Sequence, residues 1–135
     1  MSKFLKLFLV TLVIFLGIDS IWLGLVAPKF YQAQIGHLLA ETPNLVAAGV
    51  FYLLFVALLV YFVIEPAVRT STPREAILRG PLFGLVTYAT YDLTNLATLR
   101  DWPLQVTVVD LIWGAALTAA TTSLSVWVAQ KLKLA

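Results

Sequence analysis

Asp19, Asp92 and Asp110 each interrupt a stretch of sequence that is otherwise apolar over the length of a membrane-crossing helix. A carboxylate at the centre of a bilayer costs at least ~2.5 kcal/mol, so an acid retained there marks an ion or proton path, a counter-charge for a ligand, or a paired acid and base. Other polar side chains stand close in sequence and could share that chemistry. In YATYDLTN, Tyr88, Tyr91, Asp92 and Asn95 fall three, four and seven residues apart and make one stripe on a helix. Trp22 lies one turn from Asp19, and Trp113 one turn from Asp110. Tyr52 sits in a further apolar run. The absence of cysteine excludes disulfides, thiolate metal sites, iron-sulfur ligation and a cysteine nucleophile. A single histidine leaves little for metal chemistry, and no nucleotide-binding loop, haem-ligand pair or Ser-His triad is present. No metal or cofactor is expected.

The elements that must position these groups follow from composition. With 61% hydrophobic and 12% charged residues, the chain reads as an integral membrane protein, since charged residues make up about a quarter of ordinary globular chains. Its 135 residues suit a single domain of four spans of roughly 20 residues each. Apolar length places the spans at about 4–26, 45–64, 78–99 and 106–129, with stops at Pro28-Lys29 and Glu65-Pro66 and an entry to the third through Arg79-Gly80-Pro81. The lysines ahead of the first run resemble a secretory signal, but its length, Asp19 and the missing small-residue cleavage site predict a retained anchor. The fold class is therefore all-α, a four-helix membrane bundle with short loops. Lys3, Lys6, Arg69, Arg74, Arg79, Lys131 and Lys133 fall on one side of the spans, and only Lys29 and Arg100 on the other. The basic excess predicts that both termini are cytoplasmic. The outer connection PKFYQAQIGHLLAETPN carries Phe30, Tyr31, Ile35, Leu38 and Leu39 at the spacing of a short amphipathic helix lying in the interface, a lid over the bundle in which His37 is an interfacial polar residue. The net charge of +2 without a basic run excludes a nucleic-acid partner.

Orientation converts sequence position into depth at about 1.5 Å per residue. Asp19, Asp92 and Asp110 then all lie in the outer half, and Tyr52 reaches a similar level, so every span contributes to one polar layer. On the fourth span Asp110, Trp113, Gly114, Leu117, Thr118 and Thr121 share a face rich in small residues. GIDSIWLG in the first span and VVDLIWGA in the fourth repeat an apolar-Asp-x-Ile-Trp pattern. Trp102 and Trp127 fit an interfacial belt; Trp22 and Trp113 could do so too, but their indole N–H groups can also serve a buried carboxylate. Against a site stands a clasp in which the acids bond across helices for stability alone. Such bonds contribute about 0.6 to 2 kcal/mol in membranes, less than burying an ionised acid costs. Carboxyls gathered without a buried cation also disfavour joint ionisation.

The residues DSIWLG, FYLLFV, Glu65-Pro66-Ala67, GPLFGLVTYATYDLTNLATL, Trp102-Pro103 and VVDLIWG together resemble a bacterial family of small four-span membrane proteins known as domain of unknown function family 2177. The resemblance covers nearly the whole chain. It implies the fold and a multi-pass protein of the bacterial inner membrane, and it assigns no activity and no functional residues.

The leading functional expectation is an outward-facing pocket built by Asp19, Trp22, Tyr52, Tyr88, Tyr91, Asp92, Asn95, Asp110 and Trp113, which binds or translocates a small ligand, cation or proton. Four helices make a thin carrier, so transport would call for a homo-oligomer. A membrane enzyme acting on a lipid-borne substrate through paired aspartates is the second reading, and an accessory subunit whose polar layer fixes helix register or docks a partner is the third. The sequence leaves open whether the protein is an enzyme. Beyond the lipid bilayer, no partner is identified.

Overall fold

Ser2 closes the first helix, its hydroxyl accepting from the Leu5 N–H at 3.1 Å, and the apolar run behind it winds as α1 (Lys3–Leu25). In this computed structural model, which describes residues 1–134, every regular element among the described residues is helical. Pro28 does more than end the first run. It occupies the first turn of a new helix, α2 (Ala27–Ile35), where the missing N–H would have had no partner in any case. A 3₁₀ turn over Gly36–Leu38 follows, and His37 on it is exposed. Ile35 is buried together with Trp102 and Val106, with Phe30, Tyr31 and Leu96 packed around them. That packing fixes α2 across the end of the molecule at which α5 and α6 turn back.

The second apolar run is capped by Asn44, which accepts from the Ala47 N–H at 3.0 Å. It forms α3 (Leu45–Leu59), a π segment (Val60–Ile64) and α4 (Glu65–Arg69), continuous as one rod of 25 residues. Glu65-Pro66 therefore does not stop the helix. Proline lacks an N–H, and its ring would collide with the carbonyl four residues back in a regular α-helix. The wider turn, with the Glu65 N–H bonded to the Val60 carbonyl, makes room for Pro66. The rod ends where Ser71 takes a positive φ of 53°.

Helix α5 (Pro73–Thr98) starts one turn earlier than apolar length predicts. Pro73 supplies its first turn, Glu75 and Arg79 pair along it at 3.6 Å, and the helix passes through Pro81 without ending. After a turn in which Asp101 has φ 63°, α6 (Leu104–Lys131) returns antiparallel to α5. Gly84 lets the two backbones meet: a Cβ there would fall 2.2 Å from the Gly114 carbonyl oxygen and 2.3 Å from the Thr118 hydroxyl. Gly114 in turn lies under the Tyr88 ring, 2.4 Å from where its own Cβ would be. Small residues facing one another in this way are how membrane helices gain close packing.

Three helical segments are long and apolar enough to cross a membrane: α1, the Leu45–Arg69 rod and α6. Helix α5 has the length, but its polar stripe and charged first turns keep it from the same class. At the end away from α2 the helices close on a core of Leu7, Phe15, Phe55, Leu59, Val60, Ile64 and Leu117, all buried. Their outward faces carry Val13, Leu45, Val46, Val86 and many other exposed apolar side chains, as expected of helices solvated by lipid.

Candidate functional site

Toward the α2 end the helices part around a cavity of about 390 Å³, within the size range of small-molecule sites. Asp19 and Trp22 enter it from α1, Tyr52 from α3, Tyr88, Tyr91 and Asp92 from α5, and Asp110 and Trp113 from α6. These are eight of the nine side chains singled out by spacing and depth. Asn95 does not line the cavity; it lies one turn farther along α5, and its backbone carbonyl caps the helix by accepting from the Leu99 N–H at 2.8 Å.

The two Asp-x-Ile-Trp segments serve each other. Helices α1 and α6 each carry tryptophan three residues after aspartate, and the indoles of Trp22 and Trp113 stack face to face at 4.4 Å with an 11° tilt. Trp113 Nε1 donates to Asp19 Oδ1 at 3.2 Å. Trp22 Nε1 donates to the Tyr31 hydroxyl at 3.3 Å, and that hydroxyl donates to Asp110 Oδ1. Each indole thus supports the aspartate of the other helix, one directly and one through Tyr31. Tyr52 completes the Asp19 shell by donating to Oδ2 at 2.9 Å.

Tyr31 is the functional candidate that sequence reasoning missed. Its aromatic neighbours marked an amphipathic helix, but nothing in their spacing says over which helices that element folds. Burial, reinforced by its hydrogen bond to Asp110, holds the Tyr31 phenol well above its ordinary ionisation range. It stays a neutral donor, and it closes the α2 end of the cavity. Leu23, Ala48, Phe51 and Thr87 also line the wall; being apolar or self-bonded, they carried no signal of a site. The Thr87 hydroxyl, for instance, is spent on the Phe83 carbonyl of its own helix at 2.9 Å.

Asp92 is the exception among the acids. It is 1% exposed, and neither of its carboxyl oxygens has a hydrogen-bond donor. The carboxyl of Asp110 is within hydrogen-bonding reach, yet two carboxyls can bond only when one of them carries a proton. Asp92 is held rigidly from behind, because its backbone carbonyl accepts from Thr107 at 3.3 Å and Thr107 accepts from Trp102 Nε1 at 3.0 Å. Trp102 is therefore not a belt residue: it is buried under α2, since its N–H finds a partner inside the protein. Trp127 remains exposed, with the Lys131 ammonium 5.8 Å above its ring.

Asp19, surrounded by its own donors, stands apart from the Asp92–Asp110 pair, and among the described residues no three acids or histidines gather closely enough to hold a metal ion. The arrangement can do two things chemically. It can offer negative charge beside stacked aromatic faces, or it can pass a proton between two adjoining carboxyls. No curated protein and no solved structure matches the chain. The family model described as "Predicted membrane protein (DUF2177)" matches residues 4–127, and the chain belongs to that family.

Proposed function

We propose that this chain is a four-span protein of the bacterial cytoplasmic membrane, both termini inside, whose pocket in the outer half binds a small cationic ligand of the amine type. The observation that carries the reading is Asp92, a fully buried carboxyl at the cavity wall without a single donor. An uncompensated buried acid costs several kcal/mol unless a partner arrives, and a protonated amine supplies both the missing charge and the missing hydrogen bonds. The stacked Trp22 and Trp113 rings add faces that attract a cation by a further ~0.5 to 2 kcal/mol. Binding is favoured over free passage because Phe15, Phe55, Leu59 and Leu117 fill the space beyond the cavity. Titration of the purified protein with n-butylammonium, followed by tryptophan fluorescence, tests this. Saturable change in the wild type and its loss in Asp92→Asn are expected; an unaltered titration in that variant removes the proposal.

The adjoining Asp92 and Asp110 carboxyls favour a second reading, acid-base chemistry on a lipid-borne substrate, in which one acid donates while the other accepts. Conversion of labelled membrane lipid that disappears in both Asp92→Asn and Asp110→Asn would establish it; no conversion by the wild type would dismiss it.

A further inference from the structure

The walls of the cavity are not tied equally on all sides. At the α2 end, entry is closed by Tyr31, which bonds to both Asp110 and Trp22, and by α2 itself, seated on Trp102 and Val106. Between α1 and α3 the wall is tied by the Tyr52–Asp19 hydrogen bond at 2.9 Å and by the Phe15–Tyr52 ring pair at 5.5 Å. The third side differs. Between α3 and α5 the rings meet only at the cavity floor, where Phe55 packs on Phe83 at 5.4 Å and on Tyr88 at 6.4 Å. One turn nearer the α2 end, Phe51 of α3 and Tyr91 of α5 line the same cavity and are 45% and 58% exposed. Among the described residues, no hydrogen bond crosses between these two helices there. From Phe51 an apolar strip continues along α3 through Leu54 and Leu58, one helix face at i, i+3 and i+7, exposed by 57% and 45%.

We infer that the occupant is a single-chain amphiphile with an ammonium head, which enters from the bilayer between α3 and α5, sets its head against Asp92 and Asp110, and lays its tail along Phe51, Leu54 and Leu58. The inference rests on the amine-binding reading above and narrows it to a membrane-borne cation. Charge complementarity selects the head: the pocket holds carboxyls and no basic side chain, so a fatty acid or an anionic lipid would meet repulsion from Asp92 and Asp110. The opening selects the tail, because a gap flanked by exposed apolar side chains on two helices of a membrane protein faces acyl chains. The strip spans about 10 Å of helix, enough for a long alkyl chain to follow.

The experiment uses the full chain in phosphatidylcholine nanodiscs with a dodecylamine that carries a photoactivatable diazirine midway along its tail, followed by peptide mapping of the adducts. Adducts are expected on the Phe51–Leu58 segment. In the wild type alone, unlabelled dodecylammonium should suppress them at roughly tenfold lower concentration than dodecanoate of the same chain length, since a single charge-assisted hydrogen bond is worth about a factor of ten in affinity. Asp92→Asn should narrow the difference between the two competitors, and Asp92→Asn combined with Asp110→Asn should abolish it. Adducts scattered over all lipid-facing helices, or equal competition by dodecanoate, would overturn the inference. A saturable, Asp92-dependent response to n-butylammonium alongside scattered adducts would leave the amine pocket standing and reject the side entry; no response to either probe would reject both.

Discussion

Adding one methyl group at Gly84 should separate the two most closely apposed helices, whereas the same change at Gly49 should stabilise the protein. At Gly17, Gly24 and Gly49 an added Cβ would meet nothing within 4 Å, so Gly→Ala there gains helix propensity of about 0.8 to 1 kcal/mol. At Gly84 the new carbon falls 2.2 Å from the Gly114 carbonyl oxygen and 2.6 Å from Thr118 Cβ. The carbonyl belongs to the backbone of α6 and already accepts from Thr118 at 2.7 Å, so it cannot turn aside. The helices must move apart by about 1 Å to restore ordinary packing distances, and overpacking of that kind costs about 1 to 3 kcal/mol. After the propensity gain, Gly84→Ala should be destabilised by up to ~2 kcal/mol, and its gap from Gly49→Ala should reach ~3 kcal/mol, about a hundredfold in the folded-to-unfolded ratio. Reversible unfolding in mixed micelles, monitored by circular dichroism, measures this. Equal stabilities for Gly84→Ala and Gly49→Ala would refute the close apposition of α5 and α6. Gly114→Ala separates stability from the pocket, since its methyl group would strike the Tyr88 ring and displace a cavity wall.

Trp113→Phe and Tyr52→Phe each remove one donor from Asp19 and should each cost about 1 to 2 kcal/mol. The double variant should cost more than the sum, because it leaves the acid with no donor; additive unfolding free energies would show that the two donors do not share the carboxylate. Tyr31→Phe should open the α2 end and speed exchange of any bound amine in stopped-flow fluorescence, and an unchanged off-rate would show that Tyr31 is no closure. Because burial raises the Tyr31 ionisation above its unfolded value of 10.0, the stability it contributes is complete below that pH and is lost as pH rises beyond it. Tyrosinate absorbance of the wild type and Tyr31→Phe should therefore superimpose through the ordinary tyrosine range; a smaller rise in the variant would refute the shift. Glu65→Gln should change stability by less than about 0.5 kcal/mol, as its pair with Arg69 at 3.0 Å is exposed and such pairs contribute little; a larger loss in thermal melts would give the π segment an unexpected dependence on that ion pair.

Spacing made most of the polar layer legible. Residues three, four and seven apart on one helix share a face whatever the tertiary fold, so Tyr88, Tyr91 and Asp92 were bound to meet the same space. The Asp-x-Ile-Trp echo likewise announced that α1 and α6 carry matching groups, although the stacking of Trp22 on Trp113 needs the relative rotation of two helices, which no single helix encodes. Apolar length failed at prolines. It ends a helix wherever a hydrophobic run stops, but Pro66 is absorbed by a π turn and Pro81 by a helix held along α6, and both outcomes depend on packing. Tyr31 and Trp102 were missed or misassigned for one reason: an aromatic residue near a span end reads as an interface anchor until the fold of the connecting segment is known.

Counting donors separates the acids by task. Asp19 accepts from Tyr52 and Trp113 on two other helices, and bonds of about 0.6 to 2 kcal/mol each can offset much of its burial. Its position is accounted for by the joining of α1, α3 and α6 alone. Asp110 has one donor, Tyr31, contributed by the helix that closes the cavity. Asp92 has none, so its burial is compensated only if Asp110 shares a proton with it or if a ligand brings one. A shared proton leaves one negative charge on the pair, in a cavity walled largely by aromatic rings. A chain that needed only a clasp could have carried asparagine at 92, which donates as well as accepts; under the proposed amine-binding function, the carboxyl there is a counter-charge for a cation.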